Sequence, residues 1–148
     1  IARLCGLDVI LVEGATGELD TNYQGKVDAA LQALRSDYDF VTVHLEAPDE
    51  CTHNNDLKGK MQAIEWLDSR IVAPLLEGLG DTDYRLLLLS DHKTLMSTLT
   101  HDASPVPFLL YDSKRRSGGS GLPFSEKSGE QGIFLDSALK LMPLLFSR

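Results

Sequence analysis

The sequence predicts an α/β fold, a mostly parallel sheet flanked by helices, and three observations lead there. Short β-branched or leucine-rich runs of strand length alternate with longer segments whose apolar residues recur at helical spacing. The later runs, at 84–89 and 107–111, are continuously apolar rather than alternating, as strands covered on both faces tend to be. Polar residues suited to chemistry gather just after the runs, where an α/β sheet collects its ligands.

Taken in order, residues 1–6 read as the last turn of a helix closed by Gly6. That start has no Met, no basic region and no cleavage site, so it reads as the interior of a longer polypeptide rather than as a signal peptide. Residues 8–12 are a buried strand, and 13–22 a loop built around Gly14-Ala15-Thr16-Gly17. Tyr23, Val27, Ala30, Leu31 and Leu34 mark a helix, with Thr21 or Asn22 as its N-cap. Residues 38–45, rich in Val, Phe and Thr, form a second strand.

One apolar stripe, Leu57, Met61, Ile64, Leu67, Ile71, Leu75 and Leu79, predicts a long helix opened by Asn54 or Asn55 and closed by Gly78 or Gly80. Pro74 should kink it or split its last turn. A third strand at 84–89 and a fourth at 107–111 follow. Residues 113–121 are a Ser/Gly-rich loop, and 134–145 a final helix.

Composition excludes several function classes. The 148 residues are one domain's worth of chain with a globular share of apolar residues, 43%. The net charge is −8 and the largest basic cluster is Lys114-Arg115-Arg116, which argues against nucleic acid as a partner. No apolar run approaches the roughly 20 residues of a membrane span. Two cysteines, Cys5 and Cys51, make no disulfide framework and read as reduced thiols of a cytoplasmic protein.

The candidate site residues are Asp49, His53, Asp91, His92 and His101. Asp49 and His53 are four apart, so one helical turn puts both on a single face. A carboxylate beside an imidazole mixes a hard and a borderline donor, which suits Mn²⁺, Zn²⁺ or a related divalent ion. Asp91 and His92 are adjacent and can face one point only on a turn leaving a strand. Either pair alone is a common surface arrangement. The order D-x-x-x-H, D-H, H, with each member after a predicted strand, favours a metal role.

Other residues carry weaker signals. Gly14-Ala15-Thr16-Gly17 lacks the Lys-Ser/Thr ending of a phosphate-binding P-loop and reads better as a plain turn. Cys51 reads as a small buried filler rather than a soft ligand. His44 is a packing histidine within a strand, and Tyr38 and Trp66 are core aromatics. Lys93 either meets an anionic substrate or is simply solvated, and Glu50 is a candidate to orient a ligand histidine.

The pattern resembles the archaeal-type cofactor-independent phosphoglycerate mutases of the alkaline phosphatase superfamily. Gly14-Ala15-Thr16-Gly17, Asp20 to Tyr23, Asp39-Phe40-Val41, His44, Glu46 to Glu50 and His53 carry the resemblance. So do Ile64-Glu65, Asp68, Asp91-His92 with Thr94, and His101 with Pro105 to Phe108. It covers nearly the whole chain and is vaguer after Tyr111.

The resemblance implies an alkaline-phosphatase-like core with two divalent cations (Mn²⁺, Zn²⁺ or Mg²⁺) that interconverts 2- and 3-phosphoglycerate through a phosphoserine. Asp49, His53 and His101 would hold one ion, and Asp91 and His92 the other. The nucleophilic serine, a further aspartate and the inserted substrate domain have no match, so these residues are expected to be the C-terminal part of such an enzyme and inactive alone. The family's proline after Asp-His is replaced by Lys93, which bears on loop shape and substrate choice. The same ligands would serve a phosphatase or a homoserine-kinase-like phosphotransferase, and a non-catalytic metal-binding module is a third reading. For a chain this acidic acting on a phosphorylated small molecule, cations offset like-charge repulsion.

Overall fold

The computed structural model describes residues 1–115 and 119–147. Arg116 of the basic cluster, and 116–118 of the Ser/Gly-rich loop, lie outside the described residues. The chain divides into two compact units, one of Ile1–Gly80 with Met96–Thr100, the other of Asp81–Leu95 with His101–Arg148.

The first unit opens with a 3₁₀ turn, Ala2–Cys5, closed by Gly6 at φ 75° as its sequence position predicted. Residues 8–12 and 38–45 form no helix and, among the described residues, belong to no sheet. Helix α1, Tyr23–Leu34, starts at Asn22, whose Oδ1 accepts from the Gly25 amide at 2.8 Å. The core of the unit is Tyr23, Val27 and Leu31 from this helix with Ile71, and Val43, Leu45, Trp66, Leu75 and Leu79 pack around it. Trp66 is thus a core aromatic as predicted, edge-on to Tyr23 with ring centroids 5.8 Å apart, and the Arg70 guanidinium lies 3.7 Å over its face.

Helix α2, Ala47–His53, has Pro48 in its first turn, where a missing amide costs nothing. The long helix is three pieces: α3 (Leu57–Leu67), a π turn (Asp68–Val72) and α4 (Ala73–Leu79). The Ala73 amide reaches back five residues to the Asp68 carbonyl. Widening the coil just before Pro74 is how the helix accommodates a ring that would clash with the preceding turn. Its cap is Asp56, accepting from the Gly59 amide at 2.8 Å, rather than Asn54 or Asn55. Asn55 instead takes the left-handed conformation that ends α2, at φ 55°.

Two further expectations about the first unit are corrected. Tyr38 is exposed and His44 is exposed, because the segment carrying them lies in no sheet and its side chains lack a covering layer.

In the second unit β1 (Arg85–Leu89) pairs antiparallel with β4 (Phe108–Asp112), in a register setting Arg85 opposite Asp112 and Leu87 opposite Leu110. The α/β class stands, yet this ladder is antiparallel where a mostly parallel sheet was expected. Continuous apolarity reports cover on both faces and says nothing of strand direction. Arg85 donates to Asp112 Oδ2 at 2.9 Å and to the Leu145 carbonyl at 3.0 Å. A second two-stranded sheet, β2 (Lys93–Leu95) with β3 (Thr100–Asp102), was not predicted, since three-residue strands leave no periodicity to read. A short helix α5 (Glu126–Gly129) precedes a 3₁₀ turn (Ala138–Lys140) and α6 (Leu141–Phe146). The last helix therefore starts after 134–137, where Ser137 Oγ accepts from the Leu139 amide and sets the first turn.

Candidate functional site

Each unit carries its own group of predicted site residues. In the first, α2 places Asp49 and His53 on one face, with Asp49 Oδ2 3.2 Å from His53 Nε2. The other ring nitrogen, Nδ1, lies 2.9 Å from the Leu99 carbonyl. A carbonyl oxygen only accepts, so Nδ1 carries a proton and Nε2 is the ring nitrogen that faces the carboxylate. An imidazole nitrogen and a carboxylate oxygen at that distance can share either a proton or a cation. By donor type the pair fits a divalent metal, and the carbonyl behind the ring fixes its tautomer and orientation.

Leu99 itself adopts φ 56°, a left-handed conformation that disfavours a side chain, and this backbone turn belongs to the same loop that presents the carbonyl. Sequence reading missed it. A backbone oxygen has no residue-type signature, and Leu is not a residue that advertises a left-handed turn.

In the second unit Asp91 and His92 sit on the turn between β1 and β2, the placement in which neighbours can face one point. Asp91 Oδ1 accepts from the His92 amide at 3.0 Å, and Asp91 Oδ2 is 3.5 Å from His92 Nε2. His92 Nδ1 lies 3.3 Å from the Lys93 carbonyl and 3.3 Å from Thr94 Oγ1. The arrangement of the first pair recurs: backbone behind one ring nitrogen, carboxylate before the other. His101 on β3 comes against His92 with ring centroids 3.9 Å apart. Asp91, His92 and His101 are thus together.

The weaker candidates sort plainly. The amides of Ala15, Thr16 and Glu18 donate within the loop, to the Val12 carbonyl, Thr21 Oγ1 and Thr16 Oγ1 at 3.1, 2.9 and 3.2 Å. Glu46 lies so close to Gly17 that an added Cβ would be 2.6 Å from Oε2. Amides already engaged, beside a carboxylate, do not cradle a phosphate; the segment is a turn, as its sequence favoured. Cys51 is buried, and burial first, then the charges of Asp56, Glu18 and Glu50, push its thiol up. The thiolate that a metal would need is disfavoured, which agrees with a filler. His53 takes its backing from the Leu99 carbonyl rather than from Glu50. Lys93 is half-buried on β2 and helps hold Asp102 below the usual carboxylate range, behind the larger effect of the Ser104 hydroxyl and amide.

The fold is that of an α/β domain whose donor residues are of metal-binding type, and the profile of the Metalloenzyme superfamily matches residues 1–147. The chain belongs to that superfamily, with its alkaline-phosphatase-like fold present in part. A relative from Geobacter sulfurreducens, named a probable 2,3-bisphosphoglycerate-independent phosphoglycerate mutase, is 42% identical over 150 residues, spanning 100% of this chain and 37% of its own. A Methanosarcina mazei protein named 2,3-bisphosphoglycerate-independent phosphoglycerate mutase is 47% identical over 134 residues, 89% of this chain and 34% of its own. The solved structure of the PH0037 protein from Pyrococcus horikoshii superposes with a TM-score of 0.84 at 30% identity, covering 97% of this chain and 43% of that one. The chain thus spans about a third of the length of the curated relatives it matches. Among the described residues no helix is long and apolar enough to cross a membrane.

Proposed function

We propose that these residues are the C-terminal, metal-holding part of a cofactor-independent phosphoglycerate mutase acting in the cytoplasm. The observation that carries this is the His53 geometry: Nδ1 backed by a carbonyl at 2.9 Å, Nε2 set toward Asp49 at 3.2 Å. Kinship with relatives named as such mutases supplies the substrate class.

In this reading Asp49, His53 and His101 hold one divalent ion and Asp91 and His92 hold another, as Mn²⁺, Zn²⁺ or Mg²⁺. Bound cations neutralise charge that develops on phosphoryl oxygens and lower the barrier to transfer. The protein's own part is to hold the His53 and His92 rings in one tautomer, with the other nitrogen turned toward the ion. The Leu99 and Lys93 carbonyls serve that purpose. The phosphoryl group moves between the 2- and 3-hydroxyls of glycerate by way of a serine, and that serine and the substrate-binding part lie outside these 148 residues.

The test is an assay of 3-phosphoglycerate to 2-phosphoglycerate conversion by the complete polypeptide, with added Mn²⁺ and after chelation. Conversion should require the metal, and His53→Ala should lower kcat/KM at least about 100-fold by removing a direct ligand. The 148-residue chain alone should bind Mn²⁺ weakly in calorimetry and turn over nothing. Turnover by the short chain, or phosphorylation of homoserine by the complete polypeptide in place of phosphoglycerate conversion, overturns the reading.

A further inference from the structure

Helix α2 has seven residues, too few to hold a helix in water by themselves, so its placement comes from what it touches. Ala47, Cys51 and Thr52 bury its inner face. Apolar burial is non-directional and tolerates a small slide or rotation. The candidate metal pair does not: a slide would pull His53 Nδ1 from the Leu99 carbonyl, 2.9 Å away, and release the ring that faces Asp49.

The other end of α2 is where such a slide would start. The helix follows residues 38–45, which lie in no ladder among the described residues. Glu46 opens it through its carbonyl, which accepts from the Asp49 and Glu50 amides at 2.8 and 3.2 Å, while its side chain makes no cap. One bond crosses to this entry from α1. Lys26 Nζ donates to the His44 carbonyl at 2.9 Å, over a separation of 18 residues.

The support behind Lys26 is firm, because Asn22 caps α1 and the adjoining Val27 lies in the core. Lys26 is half-buried, and burial first lowers its pKa below the ordinary range while the Glu46 carboxylate opposes that. The ammonium thus answers both to the carbonyl just before α2 and to the charge of the residue that opens it. Ordering a long lysine side chain costs about as much as one charged hydrogen bond yields. The bond therefore adds little to stability, and its main effect is on placement.

We infer that Lys26 is a positioning residue for the Asp49–His53 pair: its hold on the His44 carbonyl fixes where α2 begins and so keeps His53 against the Leu99 carbonyl. The inference rests on the reading of Asp49 and His53 as metal ligands. Lys26 itself acts through the helix and is no ligand.

Mn²⁺ calorimetry on the complete polypeptide, beside Tm without metal, tests this. Lys26→Met keeps the apolar stem and removes the donor; it should weaken Mn²⁺ binding about 10-fold and leave the metal-free Tm within about 2 °C. Lys26→Arg, which can still donate to a carbonyl, should bring the affinity back to within about twofold of the parent. His53→Ala is the control and should weaken the same binding step more than Lys26→Met does. Binding lowered by His53→Ala but unmoved by Lys26→Met overturns the inference alone. Binding unmoved by both overturns the metal reading with it. A Lys26→Met variant that does not fold, or a loss that Lys26→Arg does not restore, also overturns the inference, because the residue then serves the fold and not the site.

Discussion

Thr52 is fully buried on α2, between the residues that face the candidate metal, and its hydroxyl donates to the Pro48 carbonyl at 2.8 Å. Its two parts can be weighed separately. Thr52→Val keeps the shape and removes the hydroxyl, leaving Pro48 its helical amide partner, for a loss of about 1 kcal/mol. Thr52→Ser keeps the hydroxyl and deletes one buried methyl, about 0.8 kcal/mol of transfer plus a small cavity, near 1 kcal/mol in sum. Thr52→Ala removes both, and because the losses act on different atoms they add to roughly 2 kcal/mol.

Urea unfolding followed by Trp66 fluorescence is the assay, since this is the chain's one tryptophan and it packs on the core of the same unit. With a slope of about 2 kcal/mol/M, Thr52→Ala should lower the midpoint by about 1 M and each milder variant by about half of that. A Thr52→Val variant as stable as the parent would refute the value given to the hydroxyl. Equal midpoints for Ser and Ala would refute the additivity.

Two further predictions concern the loop before α1 and the second unit. Asn22 both caps α1 and donates through Nδ2 to the Glu13 carbonyl at 2.8 Å; Asn22→Ala should cost about 1 to 2 kcal/mol, and Asn22→Asp, which keeps only the cap, less than half of that in the same urea assay. The Lys114 amide first, then the Arg85 guanidinium, hold the Asp112 carboxyl below its usual range against the opposing effect of burial. A depressed folded-state pKa contributes stability that is complete above the unfolded value, about 3.9, and is lost as pH falls through the folded value. Asp112→Asn should therefore flatten the acid limb of stability below about pH 4 when unfolding is followed by circular dichroism; an unchanged limb would count against the assignment.

How much was legible in the sequence depends on how local the cause was. The 23–34 helix, its Asn22 cap, the turn closed by Gly6 and the break at Pro74 follow from propensities acting within a few residues, and each is found. The pairing of Asp49 with His53 was legible for the same reason, since four residues make one helical turn. Strand direction and the β2–β3 pair were not, because pairing is settled by distant partners and leaves little trace in three to five residues.

The exposed Tyr38 and His44 show the same limit from the other side. Their segment has strand composition, and its Val43 and Leu45 pack on the core, but strand composition describes a surface meant to be covered and says nothing of which segment covers it. Asp8, on the facing segment, accepts from the Tyr38 hydroxyl at 2.9 Å and pushes that phenol above its ordinary range, the contact of two side chains across a mouth that no ladder closes. The apolar pattern of 8–12 and 38–45 thus reports burial of some of their side chains, such as Val43 and Leu45, on the core and not a ladder.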